Sequence, residues 1–354
     1  MPTTSKKNIL VAPLNWGLGH TTRCIPIING LISEGFTPIL ASDGNALALL
    51  KKEFPDLLAL ELPSYHIEYA KKASNFKWKI IKNSPFTIKA IFDEKKLVKK
   101  WVSEYDLKGI ISDNRLGVFS KKVPSVFITH QLTVFSGKTT WISSKIHQQI
   151  IKKYTECWVP DVETIPNLSR KLGHLDDTKL KIKYLGVLSR FQKQDLPIVY
   201  KLMVLLSGPE PQRTMLEEKL IGELKEYPEK AVFIKGKVES EQKMWQEKNV
   251  TFYNFMQTQQ LEKTFNESEM VLCRSGYTTI LDLAKLQKKA FFIPTPGQFE
   301  QEYLAKKLKK QGLIPTSKQE NFKLNDLNEV PLYAGLPKIN SEINWKQLFS
   351  IFRA

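Results

Sequence analysis

The sequence predicts an α/β protein of two domains, each a doubly wound, Rossmann-like parallel sheet, and three observations lead there. Short apolar runs alternate with helix-length segments along nearly the whole chain. The runs are continuous in apolar residues rather than alternating, as strands covered on both faces require. The alternation also breaks off at a polar stretch around Arg190–Val199, which contains Pro197, and then starts again. A chain of 354 residues is long for one core and suits two.

Taken in order, Asn8–Ala12, Thr37–Ala41, Leu57–Leu62, Gly109–Ser112, Ser125–Thr129, Cys157–Val159 and Lys181–Leu185 read as strands of the first domain. Thr21–Glu34 and Ser143–Tyr154 read as helices between them. In the second domain the strands are Lys201–Leu206, Ala231–Ile234, Val250–Tyr253, Met270–Cys273 and Ala290–Ile293. Its helices are Gln212–Tyr227, Thr258–Phe265, Thr278–Leu286 and Glu300–Gln311, and an amphipathic stretch, Ser341–Phe352, closes the chain. The domains are expected at 1–192 and 193–339, with a cleft between them of the kind that holds ligands.

Composition narrows the function. Hydrophobic residues make up 42%, enough for real cores, and no run approaches the length of a membrane span. The apolar run Ile9–Leu14 is short and broken by Pro13, which predicts no signal peptide. Cys24, Cys157 and Cys273 lie far apart, with no metal-binding or disulfide spacing, and fit a reducing cytosol. The net charge of +17 is unusual and calls for an anionic partner. Between Ala70 and Lys100 ten lysines stand against Asp93 and Glu94, interleaved with Phe76, Trp78, Ile80, Ile81, Phe86, Ile88, Ile91 and Phe92. Such a pattern suits an anionic membrane surface, or else a lysine-rich solvated helical arm. Nucleic acid is not expected as a partner, since no nucleic-acid motif is present and arginine is scarce in this segment.

Two loops carry the chemistry. The first strand runs into Gly17-Leu18-Gly19-His20-Thr21-Thr22-Arg23, where glycines let backbone N–H groups approach an anion at a helix N-terminus. A dinucleotide fingerprint would need a glycine at Thr22, although Asp43 could serve as its ribose-binding acid. His20, at a strand's carboxyl end, could take a proton from an attacking hydroxyl or simply cap the loop. Asp113, Asn114, His130 and Gln131 follow other strand ends. Asp113 could orient His20, pair with Arg115 or cap a turn. In the second domain, Cys273-Arg274-Ser275-Gly276-Tyr277-Thr278-Thr279 reads as buried strand, tight turn and helix start. Its free N–H groups, hydroxyls and helix dipole would converge on a diphosphate. Asp282, a turn further on, could accept bonds from vicinal hydroxyls or oppose nothing. Pro294 through Glu302 forms a rigid polar loop bearing Glu300 and Gln301, which could grip a sugar.

These residues resemble the GT-B glycosyltransferases, and most nearly the MurG-like branch. Cys273 through Asp282 and Ile293 through Gln301 are similar to that family's donor signature, and Gly17-x-Gly19-His20 to its N-terminal glycine loop. Gly186 through Arg190 resembles its interdomain segment, Ser207-Gly208-Pro209-Glu210 its first C-domain phosphate loop, and Ile128 through Gln131 the segment facing the acceptor. The resemblance implies a GT-B fold whose C-terminal segment, 340–354, packs back on the first domain. It implies an inverting, metal-independent transfer from a UDP-sugar, a co-substrate rather than a cofactor, to the hydroxyl of a glycan or lipid-linked acceptor. Asp282 would bind the ribose, Ser275 to Thr279 the diphosphate, Glu300 and Gln301 the sugar, and Met256 the uracil. Arg190, Ser207, Gly208 and Arg274 would complete the donor site, and Gly17, Gly19, Asn114, His130 and Gln131 the acceptor side. His20 would be the general base, supported by Asp113, or would orient the acceptor, and the enzyme would be cytoplasmic, either free or peripheral on the inner face of the plasma membrane. The chain departs from the family pattern at Pro209, Glu210 and Pro211, at Glu300, and beside Gln131. The resemblance is therefore to the family and not to the peptidoglycan enzyme itself. A UDP-sugar 2-epimerase of the same fold and a non-catalytic binder of anionic lipid or nucleic acid are the rival readings.

Overall fold

A computed structural model describes residues 7–65, 76–208, 210–237, 239–339 and 342–353, with 76–85 described by their backbone alone. The chain divides into two compact units, residues 189–339 forming the body of the second and residues 342–353 returning to the first.

The first unit is built on β1 (Asn8–Pro13), β2 (Thr37–Ser42), β3 (Ala59–Glu61), β4 (Leu107–Asp113), β5 (Ser125–Ile128), β6 (Glu156–Val159) and β7 (Ile182–Tyr184). These pair in parallel in the order β3-β2-β1-β4-β5-β6-β7. Helices α1 (Leu18–Ser33), α2 (Gly44–Glu53), α3 (Phe76–Glu104) and α4 (Thr140–Ile151) connect them. The sheet is apolar on both faces because both are covered. Val98, Trp101 and Val102 of α3, one helical stripe, pack on Leu10, Ile39 and Ile110. The chain's last residues join the core too: Phe349 meets Phe36 and Trp158 edge-on or tilted. Gly30 lets Trp345 lie against α1, since a Cβ there would come within 2.6 Å of the indole.

The second unit holds β8 (Tyr200–Leu205), β9 (Ala231–Ile234), β10 (Met244–Glu247), β11 (Val250–Tyr253), β12 (Ser268–Cys273) and β13 (Lys289–Phe292). They are ordered β10-β11-β9-β8-β12-β13, all parallel except the antiparallel edge strand β10. Helices α5 (Gln212–Leu224), α6 (Thr258–Asn266), α7 (Tyr277–Leu286) and α8 (Phe299–Lys310) cover it. Leu216, Leu220 and Leu224 of α5 pack on Val204, Phe233 and Phe252.

Four local expectations are corrected. Helix α2 and strand β10 are additions, and Leu57–Leu62 shortens to β3. Gly276 caps α7 from outside, so Ser275 and Gly276 precede the helix. The closing amphipathic stretch is one α-helical turn, α9 (Trp345–Leu348), followed by a 3-10 turn. Its aromatic spacing satisfied helical periodicity, but the segment is too short to sustain a helix.

Candidate functional site

In each sheet the strand order reverses once, between β1 and β4 in the first and between β8 and β12 in the second. Open α/β sheets bind ligands at the carboxyl ends of the strands flanking such a reversal.

At the first reversal Pro13 lies opposite Asp113, which brings the loop after β1 beside the end of β4. Gly17 adopts φ +75°, a conformation that favours glycine, and turns the chain into α1. His20, in the first turn, places Nδ1 2.7 Å from Asp113 Oδ1. Arg23, one turn along the same face, donates through Nε to Asp113 Oδ2 at 2.5 Å and through Nη2 to Oδ1. Its Nη1 lies 2.9 Å from Nδ1 of His130, which is buried, and its Nη2 2.8 Å from Nδ1 of His20. Asn114, at φ +57°, brings Nδ2 within 3.4 Å of the same His20 nitrogen. Asp113 is fully buried and the His20 side chain 14% exposed. Burial alone would raise the Asp113 pKa, yet the charges of Arg23 and His20 hold it at about 2. Burial pulls His20 below its ordinary value; Asp113 opposes this and Arg23 reinforces it. The outcome is a neutral imidazole on an ionised carboxylate, an arrangement fit to accept a proton. Gln131 follows β5, its backbone N–H held by Thr129 Oγ1 at 3.0 Å.

A second buried network fixes this loop. Arg115 donates to Glu94 Oε1 (2.8 Å), to Asp43 Oδ1 and to the Pro13 carbonyl (3.1 Å). Tyr65 donates to Glu94 Oε2 at 2.7 Å, and Asn15 joins Asp43 at 3.2 Å. Breaking such a buried pair costs about 3–5 kcal/mol. Asp43 is therefore engaged by Arg115 and does not stand free for a ribose. Arg115 in turn leaves Asp113 to Arg23.

At the second reversal Ser207 and Gly208 follow β8, and Arg274 through Gly276 follow β12. Arg274 is buried and donates to the carbonyls of Ile293 and Pro294 (both 3.1 Å), to Gln212 O (2.8 Å) and to Gln319 Oε1 (2.8 Å). It ties three loops together, and burial lowers its pKa to about 9. The Ser275 hydroxyl donates to Gln301 O at 2.9 Å, and Gln301 Oε1 accepts from Thr295 N at 2.9 Å. Both side chains thus shape the loop. Tyr277 is buried, whereas Thr278 and Thr279 are half-buried in the first turn of α7. The N-cap of α7 is Gly276, which has no side chain to offer, and its first turn carries no acid. The N-terminus of α5 differs, because Glu210 accepts from Thr214 N at 3.2 Å and pairs with Arg213. On α8, Glu300 and Glu302 lie in the first turn.

Asp282 is buried and accepts from Ser189 Oγ at 2.6 Å. Burial raises its pKa to about 7, against the Ser189 donor and the Arg190 charge. Arg190 donates to Thr258 Oγ1 at 2.8 Å and lies over Phe191. Met256 is buried, with Thr264 donating to its sulfur at 3.4 Å. Thr295 Oγ1 is buried with no partner among the described residues, and a Cβ on Gly208 would lie 3.9 Å from it. Among the described residues no three His, Cys, Asp or Glu side chains converge as a metal site would require.

Sequence reasoning missed Arg23 and Ser189. The signal for Arg23 was its i,i+3 spacing from His20 on a helix; Ser189 gave none.

Residues 212–343 match the glycosyltransferase family 28 C-terminal domain. The chain is 24% identical over 231 residues to the UDP-N-acetylglucosamine–N-acetylmuramyl-(pentapeptide) pyrophosphoryl-undecaprenol N-acetylglucosamine transferase of Haemophilus ducreyi. That match spans 62% of this chain and 61% of the relative. Among solved structures, Acinetobacter baumannii MurG aligns over 92% of this chain and 89% of its own, with a TM-score of 0.52 at 15% identity. The spinosyn forosaminyltransferase SpnP aligns over 92% and 90%, with a TM-score of 0.60 at 12% identity. The fold is that of the GT-B glycosyltransferases. Within that class the chain is similar to MurG, and most of its second unit matches the family 28 C-terminal domain.

Proposed function

We propose that the chain is an inverting glycosyltransferase that moves a hexose or N-acetylhexosamine from a UDP-sugar to an acceptor hydroxyl. The observation that carries this reading is the N-terminus of α7, which starts at Gly276 with no acidic residue in its first turn and has buried Asp282 one turn along it, within the match to the family 28 C-terminal domain. Asp282 would accept from the ribose hydroxyls, and the first N–H groups of α7 would bind the diphosphate. Thr295 Oγ1, buried without a partner beside Gly208, would donate to a ligand oxygen there. Ser207, Met256, Arg190, Glu300 and Gln301 belong to the same donor site in this proposal.

In the reaction His20 Nε2 takes the proton from the acceptor hydroxyl as its oxygen bonds to C1 of the sugar. The bond from C1 to the phosphate oxygen breaks on the opposite face, inverting C1, and UDP leaves with the electron pair. Charge developing on the diphosphate is met by the helix terminus and Arg190, so the proposal assigns no step to a metal. Gly17, Gly19, Asn114 and Gln131 would line the acceptor side, with His130 behind them on Arg23.

Two helices of the first unit favour a lipid-linked acceptor. On α3 the described residues Phe86, Ile88 and Phe92 are exposed among Lys89, Lys96, Lys99 and Lys100. Residues 70–75 of the basic segment, and the side chains at 76–85, lie outside the described residues. On α4 the outward stripe holds Trp141, Ile142 and Ile146 with Lys145, whose ammonium lies over the Trp141 ring. Mixed apolar and lysine faces of this kind suit an anionic bilayer surface. Among the described residues no helix is long and apolar enough to cross a membrane.

The test is UDP release from a panel of UDP-sugars with prenyl-diphosphate-linked and soluble sugar acceptors. Release that depends on acceptor is expected. Sugar isomerisation without acceptor would instead identify an epimerase.

A further inference from the structure

The contacts around His20 compete for one atom. An imidazole Nδ1 offers a single in-plane position, either a proton or a lone pair. At His20 it faces Asp113 Oδ1 at 2.7 Å, Arg23 Nη2 at 2.8 Å and Asn114 Nδ2 at 3.4 Å. If Nδ1 carries the proton, it donates to Asp113 and Nε2 keeps the lone pair a base needs. If Nδ1 is bare, it accepts from Arg23 or Asn114, and the proton sits on Nε2.

Asp113 decides between these states. Arg23 Nε and Nη2 donate to its two oxygens, and Cys24 Sγ lies 3.7 Å from Oδ2. An ionised oxygen has no hydrogen to turn toward a lone pair, so a bare Nδ1 would meet Oδ1 lone pair to lone pair at 2.7 Å. Arg23 Nη2, by contrast, already directs a hydrogen to Oδ1. The charged groups around the ring are Arg23 from α1 and Asp113 from β4, with the titratable His130 after β5.

We propose that Arg23 is a positioning residue: by holding both oxygens of Asp113 it keeps the His20 proton on Nδ1 and leaves Nε2 as the proton acceptor. Without the guanidinium, burial would drive a proton onto Asp113. The acid would then donate to Nδ1, and Nε2 would carry the ring proton. The consequence for catalysis rests on the transferase reading, but the tautomer can be read without any substrate.

The experiment is two-bond 1H–15N correlation at neutral pH on the full chain labelled at its five histidines. His20 is assigned by the signals lost in His20→Gln. The wild type is expected to show a protonated Nδ1 and a bare, pyridine-like Nε2, and Arg23→Gln to show the reverse. Arg23→Lys keeps a cation on Asp113 and is expected to keep the wild-type pattern. Should Arg23→Gln fail to fold, Arg23→Met decides by the same signals. A wild-type ring protonated on Nε2, or a folded Arg23→Gln or Arg23→Met with the wild-type pattern, overturns the proposal. UDP calorimetry on the wild type tests the transferase reading separately, because its outcome leaves the tautomer untouched.

Discussion

His20 and Asp282 are both buried ionisable side chains, and burial favours the neutral form of each, with opposite consequences. For His20 the neutral form is the useful one: a base kept below its ordinary value stays unprotonated into mildly acidic solution. His20→Ala is expected to lower turnover by about 10²–10⁴-fold with UDP affinity unchanged. An unaltered turnover would remove the base assignment. For Asp282 the useful form is the carboxylate, whose pKa lies at about 7 in the folded chain. UDP affinity should therefore rise as pH increases through about 7 and then level off. Asp282→Asn should flatten that dependence and weaken binding about tenfold, roughly one charge-assisted hydrogen bond; calorimetry across pH checks both. The folded state here holds its proton to higher pH than the unfolded chain. Stability from this group is thus present at low pH and lost as pH rises from about 4 to about 7. Sequence marked both residues because their types carry chemistry at strand and helix ends. It could not show that Asp43, the ribose acid of the rival dinucleotide reading, is engaged by Arg115, a residue 72 positions away.

Elements were legible in proportion to how much of their own pattern they bury. Strands such as β1 and β12 contain continuous apolar runs, Ile9–Ala12 and Met270–Cys273, and stand out, whereas β10 is a polar edge strand with Met244 exposed and gives no such run. Helix α2 hides behind Asp43-Gly44-Asn45, which reads as a turn. Glu210, which departs from the family pattern in the loop after β8, pairs with Arg213 and accepts from the N-terminus of α5. Unlike α8, α7 has no acidic residue in its first turn, and the proposal places the diphosphate there. The outward stripe of α4 was not foreseen either, since the helix was expected only from Ser143, which leaves Trp141 and Ile142 outside it. With Trp141 67% exposed, the chain is expected to sediment with anionic vesicles at low salt and to be released at high salt. Trp141→Asp combined with Ile146→Asp should reduce that binding. No sedimentation at low salt would favour a soluble acceptor.

The whole molecule was readable as two repeats of one plan, because each sheet begins anew after the polar stretch near Pro197. The return of the last residues to the first unit came from the family resemblance, since twelve residues ending in a 3-10 turn carry too little periodicity to show it. In the proposal the +17 charge and the buried residues of the second unit have different roles: the surface would gather anionic partners, and the second unit would select a UDP-sugar. The claim on which the rest depends is that selection. Thermal unfolding with UDP, GDP, dTDP, NAD and several UDP-sugars tests it most directly, since a ligand of the folded state stabilises it by about 2.7 kcal/mol at a hundredfold excess over Kd and so raises the midpoint. The account predicts a shift with UDP and a larger one with a single UDP-sugar, and none with NAD. Absence of any shift with UDP at millimolar concentration would contradict it.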